Sequence, residues 1–432
     1  MKQHIRLKLR QGILERKFPH WQEILDNKRV ASDKLDGAID KIFTKYKLPI
    51  WVTKEYKSAG KNWGKEELAS GLNRIYRLIL QHNSQIPGEL IEEISLLPIV
   101  ESVEIGEVGK VNLPSMMPSQ MSVQTDWRSR KEIYLEDAQS FTLGVPRITV
   151  AVLDTGIDLS HPELADVLLP GQDFVNIIDG ADKFLGDYLD FDDIPDDEVG
   201  HGTHVAGIIA AKGVGMPVGI VPRCKVLPVR VLGALQRGKK RVGAGLVDNI
   251  NTGIKWAIDK GADVINMSLG IRHTGGGLPH QEVVDYAERK GVTIVAASGN
   301  DGAQQFYYPG ALPYAIAVGA VDETGEVASF STYGKQVSFV APGTNIYSAY
   351  LNDDYAFSSG TSHASPFIAG AVAMLKSYAL EKKDMRLSDS QVKYILKHTA
   401  DKIDSRFKHP KAGFGKLNLI DALRLLDYKL RI

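Results

Sequence analysis

Short, unbroken apolar runs alternate with amphipathic stretches from about residue 121 onward. The apolar runs predict β-strands over Ile148–Leu153, Lys225–Leu232, Asp263–Met267, Thr293–Ala297 and Ala315–Val318. Helical spacing between the runs predicts helices over His204–Ala211, Leu246–Lys260 and Gln281–Lys290. Fully apolar strands that alternate with helices are typical of a parallel sheet covered on both faces. The expected fold class is therefore α/β, with a doubly wound, mostly parallel sheet.

The first 118 residues follow a different pattern. Leu48–Tyr56 and Ile99–Ile105 alternate like strands, whereas Glu66–Gln81 and Glu89–Leu97 have the spacing of helices. Residues 1–45 look helical and have no assigned role. Together these stretches predict a small α+β domain ahead of the parallel sheet.

A segment with prolines and small polar residues, Val111–Gln120, lies between these two parts. It has no apolar period, which predicts a linker. We therefore expect three parts, with boundaries at 1–110, 111–120 and 121–432. Residues 1–118 hold 19 basic and 15 acidic side chains, a net +4, and the rest of the neutral chain holds a net −4. Opposite charges of this kind suit two docked domains.

Composition excludes several classes of protein. Apolar residues make up 44% of the 432 residues, enough for a sizeable core, and the 52 basic and 52 acidic side chains cancel. A neutral chain argues against nucleic acid or a membrane as a partner. The single cysteine, Cys224, excludes an intramolecular disulfide. No signal peptide or membrane-length apolar run is visible, so a cytoplasmic location is expected, with export by another route left open.

Three motifs lie where predicted strands end or helices begin. Asp154 closes an apolar strand ahead of Thr-Gly, and by itself would suit a turn cap. His201 lies between glycines, and with His204 could bind a metal, although no third ligand follows at a zincin spacing. Ser362, in a Gly-Thr-Ser turn before a helix of small residues, could be a simple helix cap. Each motif alone is only modest evidence for catalysis.

Taken together, the motifs resemble the subtilisin-like serine proteases. The order is Asp-Thr-Gly at Asp154, His-Gly-Thr-His-Val-Ala-Gly at His201 and Gly-Thr-Ser-His-Ala-Ser-Pro around Ser362. A strand that ends in Ser-Gly-Asn at Asn300 matches as well. The resemblance implies peptide hydrolysis through an acyl-enzyme, with Ser362 as nucleophile, His201 as base, Asp154 as its orienting partner and Asn300 as oxyanion donor.

The resemblance also implies where a polypeptide substrate binds. An extended peptide would pair between two glycine-containing segments, and a specificity pocket would lie beside the second. The segments are Gly243, Ala244 and Gly245, and Ser268, Leu269 and Gly270; the pocket residues add Ala297, Ser298, Gly299 and Tyr307. Tyr307 falls at the pocket base, so we expect a shallow pocket.

Calcium is the cofactor that the resemblance implies. The stretch from Asp179 to Glu198 holds nine carboxylates, which repel one another unless a cation relieves them. The predicted ligands are Asp187, Asp190, Asp192, Asp193, Asp196 and Asp197, and the alternative is a solvated acidic loop. The family's common calcium loop is altered at Lys212–Pro217, which has no Asn or Asp, and leaves Glu163 as a remnant ligand.

The residue after the nucleophile is His363, where the family often has methionine. A histidine there adds a second titratable ring beside the site, which would distort the acid side of a rate profile.

Residues 46–108 resemble the propeptide of these proteases. The resemblance implies a zymogen that processes itself, with the propeptide as intramolecular inhibitor and cleavage near Val111–Met121. A permanent regulatory domain is the alternative. For the whole chain, the alternatives are a catalytically silent binding or regulatory protein and an acyl hydrolase that acts on non-peptide esters.

Overall fold

The computed structural model describes residues 2–13, 17–118, 127–175, 192–237, 240–272 and 278–432. Its N-terminal part is a four-stranded antiparallel sheet in the order β2-β3-β1-β4. The elements are β1 (His4–Leu9), α1 (Glu23–Asp26), α2 (Gly37–Lys45), β2 (Ile50–Lys54), α3 (Lys65–Ala69), β3 (Ile75–Leu80), α4 (Gly88–Ser95) and β4 (Val100–Ile105). This sheet with its helices is the N-terminal unit.

Two predictions for this unit were wrong. Residues 4–9 form the central strand β1, where Ile5, Leu7 and Leu9 alternate as a strand requires, rather than a helix. The predicted helix over Glu66–Gln81 is helical only at its start and then becomes β3. All six residues of β3 are buried and five of them are apolar or aromatic, and a short, mostly apolar run of this kind fits a helix pattern as well as a strand pattern.

The rest of the chain is built on a seven-stranded sheet, which confirms the predicted α/β class. All seven strands are parallel, in the order β17-β16-β14-β12-β7-β9-β8. They and the shorter strands around them are β5 (Val108–Asn112), β6 (Met117–Pro118), β7 (Thr149–Asp154), β8 (Gln172–Asp173), β9 (Lys225–Arg230), β10 (Gly233–Arg237), β11 (Lys240–Leu246), β12 (Val264–Met267), β13 (Ile271–Arg272), β14 (Thr293–Ala297), β15 (Tyr307–Tyr308), β16 (Ala315–Val321), β17 (Val337–Pro342), β18 (Ile346–Ala349) and β19 (Tyr355–Ser358).

Helices cover both faces of this sheet. The later helices are α5 (Arg128–Lys131), α6 (Leu135–Gln139), α7 (His201–Ala210), α8 (Val247–Asp259), α9 (Gln281–Lys290), α10 (Thr361–Lys383), α11 (Asp389–Thr399) and α12 (Leu419–Arg431). One face of the sheet packs on α7 and α10, and the other face packs on α8 and α9. Residues 361–380 of α10 are all buried. No helix in the described ranges is long and apolar enough to span a bilayer.

The N-terminal unit shares a core with α8 and α9. On β3, Tyr76 and Leu78 point into the unit's own core, while Ile75 and Ile79 join Ile254 and its neighbours from the other side. Trp21 is fully buried in the same shared core. The burial of β3 on both faces therefore explains why all of its residues except Arg77 are apolar or aromatic.

Buried charged groups cross this interface. The Arg77 guanidinium donates two hydrogen bonds to the Glu55 carboxylate, at 2.6 and 2.8 Å, and a third to Asn249 Oδ1 of α8 at 2.7 Å. Arg77 and Glu55 are 3% and 0% exposed. His4 Nε2 lies 2.6 Å from Asp248 Oδ2, and Arg6 forms an ion pair with Glu282 of α9. The basic side chains on the N-terminal unit thus meet acidic ones on α8 and α9.

Residues 108–118 run along the second part of the protein. Strand β5 pairs antiparallel with β11, with Gly109 opposite Gly245 and Val111 opposite Gly243. Strand β6 pairs with β19. The segment predicted as a linker from its sequence is therefore held by strand pairing at both ends, up to residue 118.

Candidate active site

The predicted catalytic residues lie at the carboxyl edge of the parallel sheet. Asp154 is the last residue of β7, and Asn300 follows the end of β14. His201 is the first residue of α7, and Ser362 lies in the first turn of α10. Parallel strands end at a common edge, where α/β proteins place their ligand sites. The fold thus brings residues 154, 201, 300 and 362 to one cleft.

Asp154 and His201 form a buried hydrogen bond. His201 Nδ1 lies 2.6 Å from Asp154 Oδ1, and both side chains are at most 1% exposed. The backbone can come this close because residue 202 is glycine: a Cβ there would lie 2.0 Å from the Gly156 carbonyl oxygen. Burial by itself would lower the pKa of His201, but the charge and hydrogen bond of Asp154, with Asp197 behind it, raise that pKa above the ordinary 6.5.

The turn that precedes His201 is built around Asp197. Its Oδ1 accepts hydrogen bonds from the Thr155 hydroxyl and from the backbone N–H groups of Val199 and Gly200, each at 2.9 Å. Its Oδ2 accepts from the Thr203 amide and hydroxyl. The carboxylate is 5% exposed and surrounded by donors. Asp197 therefore fixes the start of α7, a role that an acidic run in the sequence does not reveal.

Ser362 is held by Ser268, one of the predicted substrate-binding residues. The Ser362 hydroxyl donates to the Ser268 carbonyl oxygen at 3.0 Å, and the Ser268 hydroxyl donates to the Ser362 carbonyl oxygen at 2.7 Å. His201 Nε2 is buried and has no hydrogen-bond partner within the described part of the chain. The second ring nitrogen of His201 is thus available to a reacting group.

Asn300 is oriented by the residue before the serine. Its Oδ1 accepts from the Thr361 backbone N–H at 2.8 Å and from the Thr361 hydroxyl at 3.0 Å. With the oxygen fixed in this way, the side-chain NH₂ is the free end. In the first turn of α10, the Thr361 N–H is used by Asn300 and the His363 N–H bonds to the Gly360 carbonyl oxygen. The Ser362 N–H is the amide between them, and the predicted oxyanion site would combine it with the Asn300 side chain.

His363 does not act as the second titrating group that its position predicted. Its ring is fully buried, with its centre 4.4 Å from that of His204 and 5.4 Å from that of His201. Burial, with the two neighbouring rings, lowers the pKa of His363 well below 6.5. His363 therefore stays neutral over the working range of a protease.

The predicted substrate strand is occupied by the chain itself. Residues 243–245 pair with β5, and the segment continues past the catalytic groups: Leu113 contacts Gly243, Pro114 contacts Gly360, and the Ser115 carbonyl oxygen accepts from Ser358. A cavity of about 590 Å³ lies between residues 112–116 and the side chains at 201 and 300. The cleft is therefore covered by residues 108–118, which we call the strap.

Tyr307 lies against the two glycines of the predicted pocket. A Cβ on Gly299 would lie 2.6 Å from the Tyr307 ring, and one on Gly270 would lie 3.0 Å from its Cβ. The Tyr307 hydroxyl donates to Asp301 at 2.7 Å and accepts from Arg272 Nε at 3.1 Å. The other predicted pocket residues are near neighbours of these glycines in the sequence, and all three are buried: Leu269, Ala297 and Ser298. The ring is thus pinned where a large substrate side chain would enter.

Calcium does not fit the position of Glu163. Its carboxylate accepts hydrogen bonds from four consecutive backbone N–H groups, those of residues 213–216, and from the Tyr355 hydroxyl. These N–H and O–H groups stabilise the Glu163 carboxylate by hydrogen bonding, in the position where a cation would otherwise bind. Within the described ranges, no three His, Cys, Asp or Glu side chains gather to hold a metal.

The six predicted calcium ligands divide into three groups. Asp187 and Asp190 lie outside the described residues. Asp192, Asp193 and Asp196 are exposed, and each accepts a hydrogen bond from a nearby residue. Asp197 is buried in its ring of donors.

Sequence comparison decides the family. The profile of the Subtilase family matches residues 146–416, more than half of the chain and all of the residues discussed above from Asp154 to Ser362. The chain belongs to the subtilase family. It is a subtilisin-like serine endopeptidase.

Known relatives of this subtilase agree. It is 37% identical over 294 residues to the thermophilic serine proteinase of Bacillus sp. (strain AK1), covering 67% of this chain and 65% of that protein. It is 39% identical to the major intracellular serine protease of Bacillus subtilis (strain 168), covering 57% and 73%, and 39% identical to thermitase of Thermoactinomyces vulgaris, covering 59% and 81%. The solved structure of prenylagaramide maturation protease PagA matches with a TM-score of 0.54 at 29% identity, over 68% of this chain and 98% of that one.

Proposed function

We propose that this subtilase cleaves polypeptides through Asp154, His201 and Ser362, and that it is made as a zymogen. The observation that carries the proposal is the buried contact of 2.6 Å between Asp154 and His201, with the free His201 Nε2 facing the cleft that the strap covers.

The reaction would follow from this geometry. His201 Nε2 takes the Ser362 proton as the hydroxyl attacks the peptide carbonyl, and Asp154 stabilises the resulting imidazolium. The Asn300 side chain and the Ser362 backbone N–H bind the oxyanion. His201 then gives its proton to the leaving amine, and a water molecule hydrolyses the acyl-enzyme by the reverse sequence.

A fluorophosphonate probe tests this assignment directly. In the processed enzyme it should attach to Ser362, identified by peptide mass, and His201→Gln should slow the labelling strongly. Attachment to another residue, or equal labelling of the variant, contradicts the triad. The β5–β11 pairing favours a peptide substrate over a simple ester, because strand pairing forms hydrogen bonds along a peptide backbone, which a simple ester lacks.

The pH profile reports the raised pKa of His201. The ring must be neutral to act as base, so kcat/KM should fall as the pH drops through a midpoint above 6.5. Asp154→Asn removes the charge that raises this pKa. The variant should lose about 10⁴-fold in kcat and shift its acid limb to lower pH. An acid limb that stays in place in the variant would assign the titration to another group.

The zymogen proposal rests on the strap. It pairs with the substrate strand on one side of the catalytic groups and with β19 on the other, so a substrate cannot enter while it stays. The shared core on α8 and α9 holds the N-terminal unit in place. We propose that the unit is an inhibitory propeptide, cut within the strap. A permanent regulatory domain would instead remain attached in the fully active enzyme, which mass measurement distinguishes.

Tyr307 should set the size of the specificity pocket. Because its ring lies against Gly299 and Gly270, small side chains should be preferred at the scissile position. Tyr307→Gly should raise kcat/KM for Phe over Ala at that position by about tenfold or more, since burying the larger apolar side chain contributes about 1.5–3 kcal/mol. The exposed Tyr314 offers a control, as Tyr314→Gly should leave this ratio unchanged. A wild-type preference for aromatic residues contradicts the idea.

Calcium remains our proposal for the acidic stretch 179–198, not for Glu163. A ligand at 100 times its Kd adds about 2.7 kcal/mol of stability. Chelation should therefore lower the Tm of the Ser362→Ala chain by about 5–11 °C, at about 2–4 °C per kcal/mol. Added calcium should restore the Tm, and magnesium should not. An unchanged Tm removes the proposal.

A further inference from the structure

A large groove lies far from the catalytic cleft. It has a volume of about 830 Å³ and runs between the end of α10, α11 and α12. Its floor is apolar and is formed by Met385, Leu387, Ile395, Leu426 and Leu430. Helix α10 has 23 residues and so is about 34 Å long at 1.5 Å per residue. Because Ser362 lies at its other end, the groove is about 30 Å from the nucleophile.

The C-terminal segment that includes α11 and α12 is strongly basic in sequence, although five of its cations form ion pairs. Residues 382–431 hold thirteen lysines and arginines against six aspartates, a net +7 in a chain whose total charge is zero. Lys383 and Lys429 line the groove, and both are exposed. The one carboxylate among the described lining residues, Asp384, is engaged by Arg147 at 2.9 Å. The rim therefore presents uncompensated positive charge.

Several lysines near the groove lie over aromatic rings. Lys429 lies 4.7 Å from the ring centre of Tyr394, which also lines the groove and is 47% exposed. The rings of Tyr394 and His398 are 4.4 Å apart, and Lys397 and Lys402 lie 5.1 and 4.8 Å from the ring of Phe407. None of these three lysines forms an ion pair with a described carboxylate. The Lys402 ammonium also donates to the carbonyl oxygens of Phe407 and Phe414, at 3.3 and 2.6 Å, whereas Lys397 and Lys429 lie over rings and remain available to an anionic partner.

We propose that this groove is a second polypeptide-binding site, which takes an acidic amphipathic segment. Aliphatic side chains of the segment would fill the floor of the groove, and its carboxylates would meet Lys383, Lys429 and Lys397. A single-stranded nucleic acid matches the charge but offers no aliphatic groups for the floor. A membrane matches both, but a recessed groove between three helices holds its apolar groups below the surface that a bilayer would contact.

The segment would belong to a long substrate, a point that rests on the proposed protease function. An extended chain spans at most about 3.3–3.6 Å per residue, so roughly ten residues must separate the bound segment from the scissile bond. Short peptides therefore cannot use both sites at once.

Binding is tested on the uncleaved Ser362→Ala chain, which makes the result independent of catalysis. The probe is a fluorescein-labelled 16-residue peptide with leucine at helical a and d positions and glutamate elsewhere, followed by fluorescence anisotropy. We expect Lys383→Glu combined with Lys429→Glu to weaken binding about tenfold or more. Lys41→Glu combined with Lys61→Glu, on exposed lysines of the N-terminal unit, should leave it unchanged. A peptide with lysine in place of glutamate should bind at least tenfold more weakly than the acidic one.

Three results would overturn the proposal: no binding of the acidic peptide, equal binding by both double variants, or tighter binding of an RNA oligomer or of anionic vesicles. In the active enzyme, the Lys383–Lys429 double variant should raise KM for a long substrate that carries the acidic segment, and leave kcat/KM for a short peptide unchanged. If the wild-type enzyme hydrolyses no peptide, the proposed triad is wrong. The anisotropy measurement still decides whether the groove binds the acidic peptide, because it uses the inactive Ser362→Ala chain. Melting curves confirm that both double variants are folded.

Discussion

Replacing Ser362 with alanine should lower peptide hydrolysis by about 10⁶-fold, the loss known for the nucleophile of subtilisin itself. In the proposed mechanism the Ser362 hydroxyl is the attacking group, and His201 Nε2, which has no hydrogen-bond partner among the described residues, is the base that receives its proton. The variant should also be recovered as one chain of 47.4 kDa, because the cut in the strap would need the same nucleophile. Peptide assay and intact mass measure the two effects on one preparation.

Ser365 supplies the matched control. It lies one turn further along α10, is buried, and contacts the Ser268 hydroxyl at 3.0 Å. Ser365→Ala should keep activity within about tenfold and still process itself. Hydrolysis by Ser362→Ala at the wild-type rate would end the assignment. If inactive Ser362→Ala is still cut when it is produced in a host that lacks other proteases, the processing cut does not depend on this active site.

Replacing Arg77 with methionine should destabilise the uncleaved chain by about 3–5 kcal/mol, because Glu55 would remain as an unpaired buried charge. The measurement is the free energy of unfolding by urea in the Ser362→Ala background, where the N-terminal unit stays attached. Burial already raises the pKa of Glu55, against the opposing effect of Arg77. Without Arg77 that pKa rises further, so protonation relieves the loss as the pH falls. The loss should therefore be larger at pH 8 than at pH 5.

A second substitution checks the cause. Adding Glu55→Gln to Arg77→Met removes the stranded charge, and should recover at least half of the lost stability. If the double variant is as unstable as Arg77→Met, the loss comes from packing against Trp21, which lies 4.4 Å from the guanidinium, rather than from the charge.

The sequence predicted the catalytic half far better than the N-terminal half. Asp154, His201, Asn300 and Ser362 lie at or near ends of strands and helices, and the four motifs in a fixed order carry the family resemblance, which assigns their proposed roles without any knowledge of packing. In contrast, β3 is buried on both faces because a second domain covers it, and a single chain pattern cannot show that a partner surface exists.

The role of Asp197 was hidden for a related reason. In the sequence it is one of nine acidic residues, and only the folded turn shows that five donors converge on it. The strap was similarly hidden. Its prolines and small residues suit a linker, and its pairing with β11 and β19 depends on strands that lie more than 120 residues away.

The strap and the cleft belong to one chain, and this fixes the order of the activation kinetics. A tethered occupant has an effective concentration set by the fold and not by the amount of protein. A first cut made within the same molecule should therefore be first order, with a half-time that dilution does not change. Once the strap is cut, the N-terminal unit is held only by its interface, and escape becomes a dissociation that dilution favours. If the proposed zymogen is correct, activation would pass from a step whose rate does not depend on protein concentration to one whose extent does.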